Sequence, residues 1–258
     1  MTKDDRWMQL RCGRITASEL GDIMSASGGL IDGNLAYIRS KRFERKHGYS
    51  LPVSSRPMEI GNETEPMIFR WSMENRDLFI GDKSLEFVYS KDLDEVTFWI
   101  PEDMPFFGAS PDAFSTDESV VLEFKTLVGN EPTEFFMDEK TSKLEKNIRI
   151  VKEHGDQLIG QFLSNPKTQT IHLIKYAPQR DDVMKDCDSP LAPWRGYVFT
   201  LKREDNANCI REMSNRIKFF NALIDSDLNP KDMKSGWSYD IDNDKLIYTE
   251  PEPKQKKK

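Results

Sequence analysis

The chain has 258 residues, enough for one large α/β domain or two small ones. Its 37 Lys and Arg stand against 44 Asp and Glu, a formal net charge of -7 that argues against a generally basic nucleic-acid coat, although carboxylates that hold cations also count as negative. No run approaches the roughly 18 consecutive apolar residues of a membrane span, and three dispersed cysteines (Cys12, Cys187, Cys209) exclude a disulfide framework, a zinc site and a four-thiolate cluster.

The segment Met1–Asp5 has no apolar stretch, so no secretory leader is expected and the cytoplasm is the expected compartment. Residues 4–12 read as a short helix carrying Trp7, Met8 and Leu10, broken by Gly13. Thr16 or Ser18 can cap a second helix that ends near Gly28 and Gly29. Residues 34–46 read as an amphipathic helix, with Leu35, Ile38 and Phe43 inward and a basic run (Arg39, Lys41, Arg42, Arg45, Lys46) outward. A further helix lies within 58–76. Pro66 must sit in its first turn or kink it, which puts Glu65 near a helix N-terminus or a bend.

The period then changes from 3.6 to 2. Residues 85–90, 96–101 and 105–114 are short aromatic and β-branched runs, and 119–127 is the clearest strand. On it Val121, Glu123 and Lys125 share one face, with Val120, Leu122, Phe124 and Leu127 mostly on the other. Residues 129–153 form a Lys- and Glu-rich insertion, including a second basic run (Lys140, Lys143, Lys146, Arg149, Lys152). A helix at 155–164, strands at 169–177 and 194–201 and a helix at 206–224 follow, with loop-like composition at 178–193 and a basic tail at 251–258. No Gly/Ser-rich or Pro-rich linker divides the chain, so a single domain over 1–250 is expected: an α/β fold with a mixed central sheet flanked by helices.

Two opposite charges on one face of an otherwise apolar strand are costly to bury unless they pair or bind a metal. Glu123 and Lys125 alone fit a structural ion pair. Asp112, which follows Pro111 at a strand end, changes that reading, because a turn and an antiparallel return bring it beside Glu123. Converging carboxylates repel unless a cation lies between them, and with no His or Cys cluster the site would be oxygen-based and suited to Mg²⁺. Phosphodiester hydrolysis needs a deprotonated water and a polarised phosphoryl oxygen. Lys125 would then lie near the attacking water.

Asp112 with Glu123-Phe-Lys125 resembles the core motif of the D/E-X-K nuclease superfamily and its restriction-endonuclease-like core. Trp7-Met-Gln-Leu-Arg11-Cys-Gly-Arg-Ile-Thr-Ala-Ser18 resembles the N-terminal signature of the phage lambda exonuclease family, the YqaJ-type viral recombinases. Gly61-Asn-Glu-Thr-Glu65-Pro and Gly108-Ala-Ser110-Pro-Asp112 resemble its second and third motifs, and Gln157 resembles the glutamine after the catalytic strand. The resemblance spans roughly residues 7–163 in family order. It implies that Glu65, Asp112 and Glu123 ligate divalent metal, Mg²⁺ with Mn²⁺ able to substitute. Lys125 would assist the nucleophilic water, Gln157 would orient that water or the phosphate, and Arg11, Ser18 and Ser110 would bind a 5′-terminal phosphate. Arg14, close to Arg11, is the competing arginine, and Gln161 receives no role. Ser18 also fits a plain helix cap, Arg11 a surface charge, Gln157 a solvated helix residue and Glu65 a capping acid; Trp7 reads as core.

The activity so implied is a Mg-dependent 5′-to-3′ exonuclease acting on double-stranded DNA ends in recombination or end processing. It would work as a homo-oligomer, by resemblance a ring-shaped trimer, with a single-strand annealing protein as a candidate partner and no membrane involvement. The competing readings are a D/E-X-K endonuclease and a non-catalytic DNA-end-binding protein of the same fold.

Overall fold

The computed structural model describes residues 2–23, 32–50, 56–126, 143–176, 196–229, 237–240, 243 and 245–249; for 143–153 the description is of the backbone alone. The expected loop at 178–193, the basic tail at 251–258 and the side chains of the second basic run lie outside the described residues.

Helix α1 (Lys3–Arg11) starts on a Thr2/Asp5 capping box and stops before Gly13, whose positive φ of 74° turns the chain back. A short strand β1 (Ile15–Thr16) and a 3-10 turn (Ala17–Glu19) lead into α2 (Leu20–Ile23); the expected continuation to Gly28 lies outside the described residues. Helices α3 (Asp32–His47) and α4 (Arg56–Glu74) precede the sheet strands. Pro66 falls inside α4, not in its first turn, so of the two expected places for Glu65, a helix N-terminus or a bend, the terminus is excluded. Inside the helix the proline withholds the hydrogen bond that would close on Asn62.

The central sheet has five strands in the order β2-β4-β5-β6-β7: β2 (Phe87–Tyr89), β4 (Ala113–Ser115), β5 (Val120–Thr126), β6 (Thr170–Tyr176) and β7 (Gly196–Lys202). Only β5 and β6 are parallel, and helix α5 (Lys143–Ser164) provides their crossover, as a parallel pair requires. The backbone of α5 starts well before the expected residue 155. The expected strand over 105–114 is split by Pro111, which has no N–H for a ladder, into β3 (Phe107–Gly108) and β4. The expected strand at 96–101 is reduced to a bridge between Trp99 and Ala109. Helix α6 (Ala207–Asp225) and a hairpin of β8 (Trp237–Asp240) with β9 (Lys245–Tyr248), which the periodicity did not reveal, complete the order.

Alternation along β5 sorts the core into two layers. Val120, Leu122 and Phe124 pack with Ile68 and Trp71 of α4. Val121 packs on the other face with Leu158, Ile159 and Phe162 of α5 and with Ile217 and Phe220 of α6. Each fully buried side chain of this size contributes roughly 1.5–3 kcal/mol. Glu123 and Lys125 continue the Val121 face where this second layer opens into a cavity. Gly160 of α5 lets the 17–20 segment approach closely, since a Cβ there would lie 2.6 Å from Leu20 and 2.8 Å from Ala17.

The basic run of α3 does not all face outward. Arg39 and Lys46 are exposed. Lys41 is buried, 3.0 Å from both Glu19 and Glu44. Arg42 donates to the carbonyls of Leu223 and Ile224 at the end of α6 and to those of Ser226 and Leu228 beyond it, satisfying acceptors that a helix terminus leaves free. Arg45 reaches the Gly13 carbonyl, Asn221 and Asp225. Counting charges along a helix face does not see these partners on distant segments. Among the described residues no helix is long and apolar enough to cross a membrane.

Candidate active site

The β4–β5 register pairs Ala113 with Leu122, so Asp112 and Glu123 stand one step beyond the ladder. Asp112 accepts a hydrogen bond from the Phe124 amide at 2.7 Å, which realises the expected antiparallel return. Glu123 is 1% exposed. One of its oxygens takes the Lys125 ammonium at 2.6 Å and the Gln157 amide. The other takes the Gln161 amide at 3.0 Å. Glu65 enters from α4, accepting from the Tyr89 hydroxyl at 3.1 Å and from Lys91 at 2.7 Å.

The electrostatics of this group are unbalanced. Burial, and then repulsion from Glu123 and Glu65, push the Asp112 carboxyl well above its usual range despite Lys125. Burial alone would lower the Lys125 ammonium, but Glu123, Asp112 and Glu65 outweigh it and hold the group above its ordinary value. Lys125 is therefore a fixed cation in neutral solution.

Beside this group lies a second one. The parallel pairing of β1 with β3 sets Thr16 opposite Gly108, which brings Ser18 and Ser110, each two residues further on, to the same end of the ladder. The Arg11 guanidinium lies 3.3 Å from both the Thr16 and Ser18 hydroxyls and 4.3 Å above the Trp7 ring. The Trp7 indole donates to the Ser110 hydroxyl at 3.0 Å. Trp7 is thus half-buried at the cavity wall and is not the core residue that the sequence suggested. Arg14 points elsewhere, onto the carbonyls of Pro105 and Leu10. Burial lowers the Arg11 pKa, an environment in which an anionic partner is worth most.

Both groups line one cavity of about 830 Å³, which takes in all eight residues singled out in the sequence: Arg11, Ser18, Glu65, Ser110, Asp112, Glu123, Lys125 and Gln157. The sequence reading missed Tyr89, Lys91 and Gln161. Gln161 was detectable as the i+4 partner of Gln157 on one helix face. Lys91 lies in no motif.

The donor chemistry suits a hard divalent cation. It is all oxygen, and the Gln161 amide oxygen is buried with no hydrogen-bond partner, an acceptor that a hydrated ion would satisfy. Among the described residues no three acidic, His or Cys side chains enclose a ready-made cage. Lys91 and Lys125 instead hold Glu65 and Glu123. Cys12 and Cys209 are free and do not join this group.

Residues 6–150 match the model of the YqaJ-like viral recombinase domain. Among solved structures, the chain is similar to an alkaline exonuclease from Laribacter hongkongensis at 19% identity and a TM-score of 0.55, covering 85% of this chain and 92% of that one. The structure of that enzyme in complex with dAMP aligns equally well. A phage-related exonuclease from Haemophilus somnus 129PT aligns at 15% identity and a TM-score of 0.53, covering 82% of this chain and 95% of that one. No match was found among curated proteins.

Proposed function

The chain belongs to the YqaJ-like viral recombinase domain family, and from that premise we propose that it is a metal-dependent deoxyribonuclease that digests double-stranded DNA from its 5′ ends. The observation that carries this reading is the single cavity shared by the carboxylate–lysine group and the Arg11 group. One is suited to cutting a phosphodiester and the other to holding a terminal phosphate. The named activities of the similar solved structures, an alkaline exonuclease and a phage-related exonuclease, agree with it.

In this reading Asp112, Glu123 and Glu65 hold Mg²⁺, or Mn²⁺ in its place. The chemistry such an ion supplies when bound is polarisation of the scissile phosphate and acidification of a water. Lys125 holds its proton and neutralises charge that grows on the phosphoryl oxygens. Gln157 and Gln161 fix the Glu123 carboxylate from two sides. Arg11, with Ser18 and Ser110, grips the 5′-phosphate, whose higher charge distinguishes it from an internal diester. A ring-shaped homo-oligomer, by family resemblance a trimer, would keep the enzyme on its track, and a single-strand annealing protein would receive the exposed strand.

Incubation of linear and closed circular duplexes with Mg²⁺, with label at the 5′ or 3′ end, tests the proposal. The expected outcome is digestion of linear DNA alone, early release of 5′ label and complete loss of activity in chelator. Cleavage of the closed circle would favour an endonuclease, and binding to ends without any cleavage would favour a non-catalytic end-binding protein.

A further inference from the structure

We infer that Lys91 is an exchangeable counter-ion: it neutralises Glu65 in the metal-free protein and passes to a DNA backbone phosphate when a divalent cation takes its place. The inference rests on the nuclease reading above and concerns a residue that no motif singles out.

The backbone around Lys91 is pinned. It belongs to a 3-10 turn, Ser90–Asp92, that directly follows β2. The Ser90 amide donates to the Asp112 carbonyl at 3.0 Å, and the Ser90 hydroxyl to the Pro111 carbonyl at 2.6 Å. From the other side the Lys3 ammonium of α1 donates to the carbonyls of Lys91 at 2.9 Å, Ser90 at 3.3 Å and Leu93. One turn is thus tied both to the Asp112 segment and to the helix that carries Trp7 and Arg11.

The side chain is not pinned. It is 48% exposed, while that of its partner Glu65 is 13% exposed. Its ammonium lies 2.7 Å from Glu65 and 3.4 Å from the Asn62 amide oxygen, one turn earlier on α4. A half-exposed pair of this kind contributes little and exchanges readily, and the four-carbon stem lets the head group move while the backbone stays.

Of the charged groups that line this cavity, Glu65, Asp112 and Glu123 share two ammonium groups, Lys91 and Lys125, while the Lys3 ammonium is held by backbone carbonyls. A divalent cation received by Glu65 would repel the ammonium now bound there. Lys91 lines the same cavity as Arg11, so a released Lys91 stands where a DNA end bound there would present its backbone phosphates. Metal loading then creates a phosphate contact, and by linkage DNA makes metal loading more favourable.

The test uses the full-length protein and its Lys91→Met and Lys91→Arg variants, with folding checked by circular dichroism. Mn²⁺ binding without DNA is followed by calorimetry. Binding of a 5′-phosphorylated duplex in Ca²⁺ is followed by fluorescence anisotropy over a salt series. Lys91→Met is expected to tighten Mn²⁺ binding about two- to fivefold, the scale of a half-exposed ion pair. The same variant should bind DNA several-fold more weakly, with the salt slope reduced by about one. Lys91→Arg keeps the charge and should restore wild-type behaviour on both measures. Unchanged or weaker Mn²⁺ binding by Lys91→Met overturns the competition with metal, and unchanged DNA affinity overturns the transfer to phosphate. If wild type itself binds no Mn²⁺, the metal reading of the carboxylates fails first, an outcome distinct from either.

Discussion

Two lysines of this protein invite comparison, because each is ion-paired to a buried glutamate and only one is read as catalytic. Lys41 bridges Glu19 and Glu44. Those carboxylates are also bound by the Tyr37 hydroxyl and by the backbone amides of Thr16 and Gly13. Lys125 binds Glu123 alone, and because Lys91 holds Glu65, Asp112 is the excess negative charge beside it. The first cluster is enclosed and does not line the cavity; the second opens onto it and leaves the Gln161 oxygen without a donor. Burial of an ion pair therefore does not mark a site. Uncompensated charge at a cavity wall, next to an unsatisfied acceptor, does.

Alanine at the carboxylates tests this distinction most severely. Asp112→Ala and Glu123→Ala should each reduce digestion of linear duplex to background per folded molecule, since each removes a group the chemistry needs. Lys41→Ala should do the reverse. Breaking one partner out of a buried pair costs about 3–5 kcal/mol, so its urea midpoint should fall steeply while activity per folded molecule is kept. A Lys41→Ala protein of normal stability but no activity would break the comparison. Lys125→Ala is expected to lower turnover by about two orders of magnitude, with DNA affinity little changed, as for a group that acts on the transition state. Wild-type turnover in that variant would return Glu123 and Lys125 to the status of a structural pair.

How far the sequence reaches depends on the range of the interaction. The face shared by Glu123 and Lys125 follows from period-2 alternation on one strand, and the approach of Asp112 follows from a turn within the same hairpin, both local. Glu65 was found by motif, but the choice between a helix end and a bend could not be made from Pro66 alone, and the proline lies inside the helix. The choice between Arg11 and Arg14 could not be made locally: the reversal at Gly13 sends one into the cavity and the other onto Pro105. The roles of Lys41, Arg42 and Arg45 depend on partners as distant as Leu228, so the run reads as outward-facing until the helices are packed.

Arg11 sharpens the comparison within the cavity itself, because it is paired with neutral hydroxyls and a ring instead of a carboxylate. A buried guanidinium without a bound anion should prefer the doubly charged end of DNA. Wild type is expected to digest 5′-phosphorylated duplex faster than 5′-hydroxyl duplex. Arg11→Ala should lose most of that preference, on the order of 1–3 kcal/mol for a charge-assisted hydrogen bond, and Arg14→Ala should keep it. Equal rates on both ends for wild type would remove the phosphate pocket.

The smallest effect bears most directly on the two lysine clusters, and it concerns stability without metal. The folded pKa of Asp112 is raised above its unfolded value of 3.8, so the folded state binds that proton more tightly than the unfolded chain does. The contribution of Asp112 to stability therefore falls as pH rises from 3.8 towards the folded value, so a penalty is present above the acid range. Asp112→Asn removes it. In chelator at neutral pH this variant should melt a few degrees above wild type, given that about 1 kcal/mol moves the midpoint of a chain of this size by roughly 2–4 °C. The gap should narrow on acidification, as wild-type Asp112 takes up its proton. Glu44→Gln, in the enclosed cluster, should instead melt below wild type at neutral pH, because Lys41 and the Gly13 amide lose a charged acceptor. Thermal denaturation of the three proteins over a pH series decides the matter. If both substitutions shift the midpoint in the same direction, the contrast between an enclosed ion cluster and an uncompensated one is not the physical basis of this site.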